Sequence, residues 1–183
     1  MLVLAVLGTV ILGSLLISVF VLFPAHQHCM KAAGSALRLY AEEHDGRFPS
    51  DTNGFGNALL RLVKEAVGNV RYVTGPGDDG KVFMDALKTG MPIPEARCSR
   101  VYVQGLSEQS SQGIAILFDK KPTRGGDHFR RPWGPLVREV CLLDGSMEII
   151  PEDKWREFSS NQVVLLVREG FGREAAKHYY EIE

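Results

Sequence analysis

Residues 29–49, CMKAAGSALRLYAEEHDGRFP, decide the fold. Cys29, Ala33, Ala36, Leu37 and Tyr40 recur at steps of three and four, which places them on one face of a helix. Lys31, Ser35, Arg38 and Glu42 recur at the same steps on the opposite face. Asp45-Gly46 supplies the stop, because glycine takes the left-handed conformation that closes a helix without steric cost. Phe48 is then placed to fold back onto the apolar stripe, and Pro49 prevents the helix from resuming.

Upstream of this helix, residues 1–24 read MLVLAVLGTVILGSLLISVFVLFP and contain no charged side chain. A bilayer is spanned by about 20 apolar residues. The expectation is therefore an α+β protein with one long N-terminal helix. Its first half spans a membrane, and its second half packs on a small antiparallel sheet, with further helices at the C-terminus. Gly8, Gly13 and Ser14 are small residues that allow close helix approach in lipid. A cleaved signal peptide fits poorly, since no Lys or Arg precedes the run and no small-x-small site follows it. A lipoprotein site fails because His28, not a small residue, precedes Cys29. The expected division is an anchor over 1–25, an α+β domain over 26–150 and a helical extension over 151–183.

Downstream, Phe55, Ala58, Leu59, Leu62, Val63 and Ala66 make a second stripe, ended by Gly68-Asn69. Tyr40, Phe48, Leu59 and Leu62 are expected to share one core. Periodicity fades between residues 71 and 97, with a short helix or turn over 81–88. Strands are expected over 100–104 and 113–118, and a long loop over 120–135. Residues 137–143 and 146–150 form the strongest hairpin pattern, with only Asp144-Gly145 between them. That pair predicts a two-residue type I′ turn with positive φ at both positions. The flanking Arg138 and Glu139 predict a sheet covered on one face and partly wet on the other. Helices follow Pro151, broken near Gly170 and Gly172.

The order of apolar helix, Cys29, amphipathic continuation and YAEEHDGRFP resembles the pilin-like proteins of type II secretion and type IV pilus systems. It is most similar to small pseudopilin-like proteins whose helix ends in a YAxDxDGxFP-type motif. Residues 99–108, 114–120 and 138–150 (REVCLLDGSMEII) resemble that family's C-terminal strands. The resemblance implies a scaffold subunit acting by protein–protein contacts with other pilin-like or secretion-system subunits. It also implies an inner-membrane location with the domain on the periplasmic side. Lys31 and Arg38, taken alone, favour a cytoplasmic domain. Residues 1–25 hold no acid and no Gly-Phe processing site, unlike pilin precursors. That difference supports an alternative, a free-standing membrane-anchored binding module that joins no filament.

Chemistry is sparse. The formal net charge of −1 makes no electrostatic case for nucleic acid. Gly-x-Ser-x-Gly, a P-loop and His-Glu-x-x-His are all missing, so no enzyme is expected and no small-molecule substrate is identified. Asp78, Asp79 and Asp127 are weak calcium candidates, because calcium takes several oxygen ligands, but EF-hand spacing is absent. No other cofactor is indicated. Cys29 and Cys98 are the candidate disulfide in an oxidising compartment, with free thiols as the alternative. Cys141 reads as a buried small hydrophobe. Arg124, Arg130 and Arg131 with Trp133 form a local basic patch.

Overall fold

A computed structural model describes residues 30–75, 79–125 and 133–180. Helix α1 is described over Met30–Glu43, followed by α2 (Phe55–Leu62), α3 (Asp79–Thr89), α4 (Trp155–Arg168) and α5 (Arg173–Tyr180). The strands are β1 (Arg100–Tyr102), β2 (Ala115–Asp119), β3 (Thr123–Arg124), β4 (Leu136–Leu142) and β5 (Met147–Pro151). The architecture is α+β with an antiparallel sheet. The expectation of a long N-terminal helix crossing a membrane in its first half is overturned. Here the described part of α1 is 14 residues of two-faced helix, and among the described residues no helix is long and apolar enough to cross a membrane. Residues 1–29, including Gly8, Gly13, Ser14 and Cys29, lie outside the described residues.

Strand β4 is the hub. Its second half pairs with β2 and its first half with β3, both on one side, while β5 pairs along the other side. Strand β1 extends the sheet beyond β2. Direct partners share a face of the sheet. Leu117 opposes Cys141, and Phe118 opposes Val140, so the two faces can be assigned.

Helix α1 covers the Cys141 face. Met30, Ala33, Ala36, Leu37 and Tyr40 are buried, and Lys31, Ser35, Arg38 and Glu42 are exposed. Gly34 sits against Cys141, where a Cβ would lie 2.6 Å from Sγ. An interior glycine costs a helix about 1 kcal/mol relative to Ala, so here close approach outweighs propensity. Tyr40, Phe48, Leu59 and Leu62 all belong to the one hydrophobic core. Helix α2 continues into a single π-helical stretch, Val63–Val67, and ends at Gly68 in the left-handed conformation.

The opposite face is covered over β2 and β4, which corrects the expectation of a half-wet face there, while β5 stays largely exposed. Phe118 stacks on Tyr180 at 4.9 Å between ring centroids and meets Trp155 at 5.5 Å. Arg138 lies over the Trp155 ring at 4.4 Å and grips Glu152 with two 2.9 Å hydrogen bonds. A register shift separates the Ala115–Leu142 pair from the Leu117–Cys141 pair. Gln162 of α4 accepts from the Ala115 N–H (2.9 Å) and donates to the Gly113 carbonyl (3.1 Å). The Tyr180 hydroxyl of α5 donates to the Ala115 carbonyl (3.1 Å). The two C-terminal helices thus satisfy backbone groups of Gly113 and Ala115 at the start of β2.

Candidate functional site

The two Asp-Gly turns flank a pocket that Phe48, just after the first, and Asp144 of the second both line. In the first, Asp45 and Gly46 have φ of 54° and 76°, and the Gly46 N–H donates back to the Ala41 carbonyl (2.8 Å). The chain is then held to the segment before β2. The Glu108 N–H donates to the Gly46 carbonyl (2.9 Å), and Arg47 bridges Ser107. Phe48 is buried beneath, as the apolar stripe requires.

The second turn differs from the expected type I′. Gly145 has φ 84°, but Asp45 is the only non-glycine residue of positive φ among the described residues, so Asp144 does not share it. The Gly145 N–H donates to the Leu142 carbonyl, and the Leu142 N–H donates to the Ser146 carbonyl, both at 2.9 Å. Leu143, Asp144 and Gly145 therefore form a three-residue loop, a tight turn followed by a left-handed glycine. Asp144 accepts from the Ser146 N–H at 2.7 Å.

Between the turns lies a pocket of about 300 Å³, lined by Arg38, Phe48, Glu108, Gln112, Leu143 and Asp144. Arg38, on the exposed face of α1, donates to the Asp144 carbonyl at 3.3 Å. Hydrogen bonds from Ser146 hold the Asp144 carboxyl below its usual range, and the Arg38 charge adds to this. Gln112 donates to the carbonyls of Glu108 (2.9 Å) and Ser110 (3.1 Å). The lining offers a guanidinium, two carboxylates and an amide above an apolar floor. Among the described lining residues there is no hydroxyl, thiol or imidazole. Such a set recognises polar groups.

The other predicted residues fall elsewhere. Asp78 and Asp127 lie outside the described residues, and Asp79 opens α3. Among the described residues no group of three or more His, Cys, Asp or Glu side chains is arranged to hold a metal ion. Cys98 is buried and packs under α2, with its Sγ 3.1 Å from the Cβ position of Gly56, while Cys29, the other half of the candidate bridge, lies outside the described residues. Of the basic patch, Arg124 sits in β3, donating to the Gly134 carbonyl, and Trp133 is 88% exposed; Arg130 and Arg131 lie outside the described residues.

Two polar clusters were not foreseen. Arg100 and Asp119, both fully buried, pair at 3.4 Å, and Arg100 also donates to the Tyr72 carbonyl (2.8 Å). Asp119 accepts in turn from the Glu139 N–H at 3.2 Å, so the group locks β1, β2 and β4 together. Its only trace in the sequence is a charge at the end of each of two apolar strands. The second cluster tethers the end of α1. His44 stacks on Tyr40 at 3.7 Å, and its Nδ1 lies 2.7 Å from the Tyr40 carbonyl. Its Nε2 faces Glu65 at 3.4 Å. Comparison with protein-family models, curated proteins and solved structures finds no match for this chain.

Proposed function

We propose that this chain is a non-catalytic, pilin-like scaffold subunit that works by protein–protein contacts in a secretion- or pilus-type assembly. Its uncharged N-terminal run holds it at the inner membrane, and its α+β domain lies on the periplasmic side. It needs no cofactor, and calcium is a minor accessory at most. The observation that carries the reading is the division of α1. One face is buried on β4, and the other, with Arg38 and the 55%-exposed Leu39, is left bare and leads into the polar pocket. A helix exposed in this way suits lateral contact with neighbouring subunits.

The test is site-specific photo-crosslinking in native membranes. A photoreactive residue at Leu39 should give discrete adducts with secretion- or pilus-type components. The same probe at the exposed Glu157, on the far side of the sheet, should give none of those adducts. Equal labelling from both positions would sink the proposal. The second reading, a free-standing binding module, draws support from the double cover over β2 and β4 and from the acid-free residues 1–25. It predicts adducts with one unrelated partner and no assembly component.

A further inference from the structure

The groove between α4 and α5 lies on the side of the sheet away from α1 and goes beyond the reading above. Its volume is about 420 Å³, within the range of ligand sites. Its floor includes Val163, Val164 and Val167, and the last two are 49% and 42% exposed. Among the described residues its rim carries Arg168, Arg173 and Lys177, and no acidic residue lines it. Of the nearby acids, one is engaged at the rim itself and one away from it. Glu174 pairs with Lys177 at 3.0 Å, and Glu169 accepts from the Ser111 N–H at 2.9 Å. Arg168 and Arg173 make no ion pair among the described residues.

We infer that this groove is a docking site for an acidic amphipathic segment of a partner protein. Two exposed valines one helical turn apart would take that segment's apolar side chains. Arg168 and Arg173, the rim cations without an ion pair among the described residues, would take its carboxylates in two-pronged fashion. The concave shape favours inserted side chains over a bilayer, which meets protruding ones. Charge complementarity sets the sign of the partner, and the valine floor sets its amphipathic pattern.

The full chain, in mild detergent, is titrated against a labelled helical peptide of about 15 residues bearing a Leu stripe flanked by Glu. A second peptide replaces every Glu by Lys. The Glu peptide should bind saturably and weaken steeply between about 50 and 500 mM salt, while the Lys peptide should bind at least about tenfold more weakly. The double variant Arg168→Glu with Arg173→Glu should reverse that preference, and Val164→Asp should abolish binding to either peptide. All these positions are exposed, so thermal unfolding midpoints should stay near that of the parent chain. Equal binding of the two peptides, or a preference unmoved by charge reversal, would overturn the inference. Tighter binding to anionic vesicles than to the Glu peptide would overturn it in favour of a lipid surface. Concentration-dependent dimers lost in the double variant would overturn it in favour of a second copy. Crosslinking at Leu39 is unaffected by these variants, so the two proposals fail separately.

Discussion

Gly34 and Cys141 show how one contact sets a helix position. The missing Cβ lets α1 settle on β4, and Sγ fills the gap. Gly34→Ala should therefore destabilise, despite gaining about 1 kcal/mol of helix propensity, because overpacking costs about 1–3 kcal/mol. Cys141→Ala in the same chain removes the obstructing sulfur and should recover much of the loss. Denaturant melts of the two single variants and the double variant measure this coupling, and additive effects would show that the helix simply shifts away. Burial also pushes the Cys141 thiol up to about 11. A folded chain should leave it unlabelled by a thiol reagent near pH 8, and unfolding should expose it with an ordinary thiol pKa near 8.5. At Asp144 the sign runs the other way. The fold depresses its carboxyl, so the stabilisation is full above the unfolded value near 3.9 and fades as pH falls through the lower folded value. Asp144 is exposed, so Asp144→Asn should cost less than about 1 kcal/mol at neutral pH, and the two chains should converge in strong acid. A difference that grows in acid would contradict the assignment.

Among the elements, helices with a clean stripe were legible and the turn geometry was not. The 29–49 pattern places the buried face of α1 and its Asp-Gly stop correctly, because helical periodicity and left-handed capping are local properties. Asp144-Gly145 suits a two-residue or a three-residue loop equally well. What decides is the pairing of Leu142 with Ser146, a non-local fact. The second helix layer did leave a signal. Residues 114–118, Ile-Ala-Ile-Leu-Phe, are continuously apolar, and β2 is buried at every position, as a strand covered on both faces must be. Reading Arg138 and Glu139 as evidence of a wet face failed because Arg138 is spent on Trp155 and Glu152. Gln162 is the polar link between the layers. Gln162→Leu keeps approximate size but leaves the Ala115 N–H and the Gly113 carbonyl without their partner, so a loss of about 1–3 kcal/mol is expected. Tyr180→Phe should cost less, about 0.5–1.5 kcal/mol, since it removes a single hydrogen bond. Equal costs in chemical denaturation would argue against Gln162 as the stronger of the two attachments.

At the scale of the molecule, the question is whether residues after 150 are an appendage or part of the domain. Trp155, Val163, Leu166, Ala176 and Tyr180 belong to the same buried cluster as α1 and the sheet. Phe118, Ile116 and Val140 on the inner strands are almost wholly buried, and Phe118 meets rings of both C-terminal helices. A chain stopped after Lys154 would expose that face and leave the Ala115 backbone groups to water. Each large apolar side chain re-exposed forfeits about 1.5–3 kcal/mol, and total stability for a domain of this size is only about 5–15 kcal/mol. The shortened chain should therefore lose cooperative unfolding and bind a dye for exposed apolar surface. The milder Trp155→Ala should keep the fold but cost about 3–5 kcal/mol, since it removes the ring that carries both Phe118 and Arg138. If the shortened chain instead unfolds cooperatively at an unchanged midpoint, the domain ends at the hairpin, and the C-terminal helices are a separable cap whose groove plays no part in folding.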